Sequence, residues 1–121
     1  MATGTLHIDL AALAANFRAL NDRSGGKAAA VVKADGYGLG AALASRTLRD
    51  AGAQTFFVAT SEEGHDVRAA LGDGPPIHVF SGHMAGDTDT IRDAALTPML
   101  NSPEQIARHL GALPGAPYGL Q

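Results

Sequence analysis

The chain has 121 residues with 9 basic and 12 acidic side chains, a net charge of −3. That length supports one core, and the absence of a basic patch interleaved with aromatics argues against a nucleic-acid partner. With no cysteine, disulfides and thiolate metal sites are excluded, in keeping with a reducing compartment. No stretch approaches the roughly 18 apolar residues of a membrane span. No signal peptide is visible either, because the N-terminus lacks a basic region and Asp9 interrupts its apolar run.

In chain order, Thr5–Ile8 predicts a short strand with Leu6 and Ile8 on one face. Asp9 is placed to N-cap a helix in which Leu10, Leu13, Phe17 and Leu20 recur at helical spacing. Ser24-Gly25-Gly26 ends that helix. The apolar run Ala28–Val32 predicts a buried strand closed by Lys33, and a loop with Gly36, Tyr37, Gly38 and Gly40 follows at once. A second helix is expected over about Ala41–Ala51, stopped by Gly52.

The pattern then repeats. Thr55–Ala59 reads as a strand. Thr60 or Ser61 caps a helix whose first turn holds Glu62 and Glu63, favourable against the helix dipole, and whose stripe is Val67, Ala70 and Leu71. Gly72–Pro76 is a turn, Ile77–Phe80 a strand, Ser81–Gly86 a loop and Asp87–Ala95 a short helix. Leu96–Leu100 is a further apolar run, weakened as a strand by Pro98. Ser102-Pro103-Glu104-Gln105 has the spacing of a capping box and opens a helix through about Leu110. After the turn Pro114–Pro117, Tyr118–Leu120 begins a fifth strand.

Strand starts recur at intervals of roughly 20–25 residues with one helix between each pair, the rhythm of βα units on a parallel sheet. The runs are apolar rather than alternating, as for strands covered on both faces. Two α/β architectures fit: an open doubly wound sheet, or part of a (β/α)8 barrel of about four βα units plus the start of a fifth strand. A full barrel takes about 250 residues, so the chain reads as an N-terminal piece of something larger.

Lys33 is the residue that carries most information. An ammonium beside a buried run costs desolvation, and a desolvated lysine suits Schiff-base chemistry with an aldehyde. By position alone, a strand-end lysine snorkelling to solvent is the better account. The glycine loop is neither a Walker loop nor a dinucleotide fingerprint, because it lacks the Gly-Lys-Ser/Thr ending and the G-x-G-x-x-G spacing. Tyr37 either packs at the mouth of the sheet or donates its phenol to an anion beside Lys33. Asp35 either pairs with Lys33 or caps the loop. Glu62 and Glu63 read as residues that only open a helix. The five histidines show no metal-ligand spacing. His78, inside a strand, reads better as a satisfied core or strand-end histidine than as a ligand contact.

IDLAALAANFRAL, AVVKADGYGLG, FFVATSEEG, PIHVF followed by SG, and LTPMLNS, in that order from about Leu6 to Gln121, resemble the N-terminal half of alanine racemase. AVVKADGYGLG is the specific segment, although Asp35-Gly36 stands where many members have Asn-Ala. The resemblance implies that residues 1–121 are the N-terminal portion of a (β/α)8 barrel domain, followed in the family by a smaller β domain, in a cytoplasmic homodimer. It implies pyridoxal 5′-phosphate as cofactor and the interconversion of L- and D-alanine for peptidoglycan precursors. By position, Lys33 would bind the cofactor covalently and act as one of two bases. Tyr37 would hydrogen-bond its phosphate, and Val31, His78 and Phe80 would line its pocket. The family's opposite base is a tyrosine from the partner subunit; Tyr118 does not match that motif. Half a barrel is expected to be inactive or nearly so alone. Two other possibilities are a non-catalytic carrier of the same cofactor, which VKADGYG opposes, and a decayed, cofactor-free fragment.

Overall fold

Side-chain caps set the helix starts. Asp9 accepts from the Ala12 amide at 2.9 Å, Thr60 from Glu63 at 3.3 Å and Ser102 from Gln105 at 3.2 Å, each satisfying an amide that the helix itself leaves free. The computed structural model describes residue 1 and residues 3–121. In chain order it contains α1 (Leu10–Arg23), β1 (Ala30–Val31), α2 (Lys33–Tyr37), α3 (Ala41–Asp50), β2 (Phe56–Val58) and α4 (Ser61–Leu71). Then come β3 (Ile77–Val79), α5 (Thr88–Asp93), β4 (Thr97–Leu100), α6 (Pro103–Ala112) and β5 (Gly119–Leu120). No helix of the described residues is long and apolar enough to cross a membrane.

The five strands lie side by side in the order β1-β2-β3-β4-β5, and every neighbouring pair is parallel. A doubly wound sheet reverses its strand order at a switch point. Here each strand is added beside its predecessor in one direction, which is how a (β/α)8 barrel grows. The fold is therefore the α/β partial barrel, and the doubly wound alternative is set aside.

Alternation within each strand sorts the side chains. Ala30, Val32, Phe56, Val58, Ile77 and Val79 are buried on the helix-covered face, as is Leu100 in β4. The first six meet Phe17, Leu48, Val67, Leu71, Ile91 and Leu96 in one core. Gly64 on α4 lets that layer close, since a Cβ there would lie 2.8 Å from the Leu96 Cδ1. The other face carries Val31, Phe57, His78, Thr97 and Met99, and it is only partly covered. The strands are thus not buried on both faces, as their apolar runs suggested.

Several local expectations change. Thr5–Ile8 forms no strand: no neighbouring strand offers it a ladder, and Leu6 and Ile8 are exposed. Leu20 lies off the packed stripe of α1, whose buried residues are Ala14 and Phe17. The strand expected over Ala28–Lys33 narrows to Ala30–Val31, with ladder bonds of 2.9 Å from the Ala30 amide to the Thr55 carbonyl and from Val32 to Phe57. Pro98 is accommodated inside β4, buried and in register with Val79. Only half of the capping box at Ser102 forms. The Gln105 side chain turns away and accepts from the Asn101 amide at 3.1 Å while donating to the Ser81 carbonyl at 2.9 Å.

Candidate functional site

Parallel strands end on one edge, and Lys33 sits there, immediately beyond β1. Because Val32 faces the core, its neighbours Val31 and Lys33 face the open side. Register extends that side across the sheet: Val31 pairs with Phe57, Phe57 with His78 and His78 with Thr97. Phe80 follows two residues after His78 and projects the same way. The Phe57 ring stacks on His78, with centroids 4.6 Å apart, and on Phe80 at 5.1 Å. The Lys33 Nζ stands 5.9 Å from the Phe80 ring centroid, within range of a cation–π attraction. Among the described residues that ammonium has no hydrogen-bond or ion-pair partner.

Of the residues singled out in the sequence, Val31, Lys33, His78 and Phe80 come together on this surface. Phe57 joins them and was not singled out, although its place in TFFVA gives it the alternation that faces the open side. Burial pushes the His78 imidazole below its ordinary value of 6.5, and its Nδ1 is buried without a partner. The expectation of a satisfied histidine is therefore not met at that atom. Tyr37 stands apart from the stack, 63% exposed.

The backbone between Lys33 and Tyr37 is unusual. α2 is a single turn of left-handed sense, with φ/ψ of 51/51 at Ala34, 53/46 at Asp35 and 63/40 at Gly36, and φ 56 at Tyr37. Left-handed conformation costs about 1–2 kcal/mol per non-glycine residue, so a run of this kind must be held from outside. Its own bonds are Gly36 amide to Val32 carbonyl at 2.9 Å, Gly38 to Ala34 at 3.0 Å and Gly40 to Asp35 at 2.9 Å. Asp35 accepts from the Ala41 amide at 2.8 Å. That settles its alternatives in favour of a cap: it satisfies the first amide of α3 rather than pairing with Lys33.

Glu63 does more than open α4. One carboxylate oxygen accepts from the Ala34 amide at 2.9 Å and the other from the Ala59 amide at 2.7 Å. The sequence did carry a signal for this: Thr60-Ser61-Glu62-Glu63 has capping-box spacing, in which the glutamate folds back over the helix start. Here it reaches past the cap residue to two strand ends.

The chemical capacity of this edge is narrow and specific. It offers one primary amine, unpaired and half-buried, over a flat aromatic and imidazole surface. Beyond it lie an exposed phenol and a glycine-rich backbone.

Comparison with known proteins agrees in fold and in sequence. Over its whole length the chain is 64% identical to an alanine racemase of Jannaschia sp., of which it covers 35%. A solved alanine racemase of Bartonella henselae with covalently bound pyridoxal phosphate superposes with a TM-score of 0.80 at 34% identity, covering 86% of this chain and 29% of that one. One from Streptomyces coelicolor gives 0.80 at 38% identity, covering 87% of this chain and 28% of that one. The chain thus spans about a third of the length of its relatives. The family model described as "Alanine racemase, N-terminal domain" matches residues 8–118, and the chain belongs to that family.

Proposed function

We propose that residues 1–121 form the N-terminal portion of the barrel domain of a pyridoxal 5′-phosphate-dependent alanine racemase, and that Lys33 is its covalent attachment point and one of its two proton-transfer groups. The observation that carries this reading is the unpaired Lys33 ammonium at the end of β1, aimed over Phe80. The residues fit the cofactor: an amine for its aldehyde, and the Phe57–His78–Phe80 surface as a flat wall for its ring. Val31 lies beside Phe57 in register on that wall, and the Tyr37 hydroxyl would donate to the phosphate. When bound, pyridoxal phosphate supplies an electron sink that makes the α-proton of an amino acid removable.

The chain's own part is proton transfer on one side. Racemisation takes a proton from one face of the α-carbon and returns it to the other, so two groups are needed. Lys33 Nζ takes or returns the proton on its side, with the Phe80 ring 5.9 Å from that nitrogen. Tyr118 does not match the family's motif for the opposing group, and it packs edge-on against His109 at 5.6 Å. The second group comes from another part of the enzyme, by this reading the partner subunit of a cytoplasmic homodimer. D-Alanine, the product, would supply peptidoglycan precursors.

Borohydride reduction in the presence of pyridoxal phosphate, followed by peptide mapping, tests attachment; a label on Lys33 is expected. In a separate, unreduced sample with the remainder of the enzyme supplied, D-alanine in deuterated water should gain α-deuterium. A Lys33 that takes no label in the reduced sample, or an unreduced holoenzyme that exchanges no α-proton, overturns the reading.

A further inference from the structure

We propose that Glu63 is a positioning residue for Lys33. Its carboxylate ties the first amide of the left-handed turn after the lysine to the end of β2, and so aims the ammonium across the open face of the sheet. This rests on the function proposed for Lys33.

The geometry supports it in three steps. Lys33 is followed by residues in a conformation that L side chains avoid. The turn's internal bonds begin at Gly36, so they leave the Ala34 amide, the one next to Lys33, to an outside acceptor. Glu63 supplies it from α4, a helix anchored independently through the buried Val67 and Leu71. The same carboxylate holds Ala59, where β2 ends. Both acceptor oxygens are therefore committed to backbone, and one side chain ties the start of the turn after Lys33 to the end of β2, beyond the last ladder bond from Val32 to Phe57.

Two N–H groups facing one group need an acceptor at each end, and carboxylate is the side chain that offers that. Glu63→Gln keeps the shape but turns an NH2 toward one of the two amides, donor against donor. Glu63→Asp keeps the charge and shortens the reach. A lysine displaced by an ångström loses catalytic power far more than binding, since misplacement on that scale can cost about 100-fold.

The test uses the full-length enzyme with three variants beside wild type. Glu63→Gln should lower kcat by about 10- to 100-fold, with KM for alanine changed much less. Glu63→Asp should recover part of the loss. Arg68→Ala, which weakens the far end of the same helix, should leave kcat within about twofold. In the cofactor-free protein, the Ala34 amide should exchange with deuterium about tenfold faster or more in Glu63→Gln relative to the β2 and β3 ladder amides of the same variant, and that ratio should be unchanged in Arg68→Ala. Wild-type kcat in Glu63→Gln, or an equal kcat loss in Arg68→Ala, overturns the inference. If Glu63→Gln does not fold, Glu63→Asp decides by the same kcat and exchange criteria. Failure of the underlying reading looks different: wild-type Lys33 then takes no borohydride label, and both proposals fall together.

Discussion

The Nδ1 atoms of His83 and His109 lie 3.1 Å apart, both rings fully buried, between the loop after β3 and helix α6. The partners on either side fix which atom carries each proton. His109 Nε2 faces the Ala116 carbonyl at 3.3 Å, an acceptor only, so that nitrogen holds the hydrogen and His109 Nδ1 accepts. His83 Nδ1 must then donate, and His83 Nε2 accepts from the Thr88 hydroxyl at 2.8 Å. This neutral chain has no unfilled place for another proton.

A pH dependence follows from that arrangement. Burial first, then the nearby His109 and Arg108, hold His83 below its ordinary value of 6.5, against a smaller opposing pull from Asp87. The unfolded chain therefore binds the proton more readily than the folded one. The stability contributed by neutral His83 is complete above pH 6.5 and declines as pH falls below that value, until the folded state is itself protonated. His78, also lowered by burial, acts with the same sign. The urea midpoint should fall between about pH 8 and about pH 5. His83→Gln should be less stable at the higher pH yet lose less on acidification. A variant with an unchanged pH slope would remove His83 from the explanation.

Arg68 should be a main determinant of stability on the helix side. Its guanidinium donates to the carbonyls of Ala94 at 2.8 Å, Gly72 at 3.0 Å and Ala95 at 3.1 Å. These close the C-terminal ends of α4 and α5, where a cation is favoured by the helix dipole, and Ala95 has a φ of 50. Arg68→Ala should cost about 2–3 kcal/mol in urea unfolding, because carbonyls are left without a charged donor. Arg68→Lys should recover only part, since one ammonium does not reproduce the guanidinium fork.

What could be read in advance depended on how local the physics is. Asp9, Thr60 and Ser102 cap their helices because a cap is a contact between residues three apart. The strands could be located because each apolar run buries one face on the helix layer. Thr5–Ile8 has a strand's composition but no neighbour, and a strand without a ladder is not one. At the candidate site, Lys33 declared itself by an unusual residue type at a strand end. Glu63 showed only the local half of its role: the Thr60–Glu63 spacing signals a carboxylate folded back over the helix start, but its bond to the Ala34 amide, 29 residues away, has no spacing signal. The His83–His109 contact spans 26 residues and has no spacing signal at all.

Tyr37 separates binding from folding. Its ring is largely exposed at the end of the left-handed turn, so Tyr37→Phe should leave the urea midpoint essentially unchanged. If its hydroxyl donates to the cofactor phosphate, as proposed, the loss of one hydrogen bond should weaken pyridoxal phosphate binding by roughly 3- to 10-fold. Fluorescence titration of the cofactor into the full-length protein measures this. Equal affinity in the two proteins would remove Tyr37 from the proposed site.

The left-handed turn makes two neighbouring substitutions opposite in sign. Ala34 has φ 51 and an exposed side chain, so it carries the conformational penalty with little packing in return. Ala34→Gly removes the penalty and costs only the greater freedom of glycine in the unfolded chain. A net stabilisation of about 0.5–1 kcal/mol is expected. Gly36 has φ 63, and a Cβ there would meet the Ala44 Cβ at 3.3 Å. Gly36→Ala adds both backbone strain and crowding against α3, and should destabilise by about 1 kcal/mol or more. Urea unfolding of the two variants reads the difference directly. Ordinary right-handed backbone at both positions would make Ala34→Gly the destabilising change and Gly36→Ala the stabilising one, so reversed signs would show that the segment joining Lys33 to Tyr37 is not left-handed in solution.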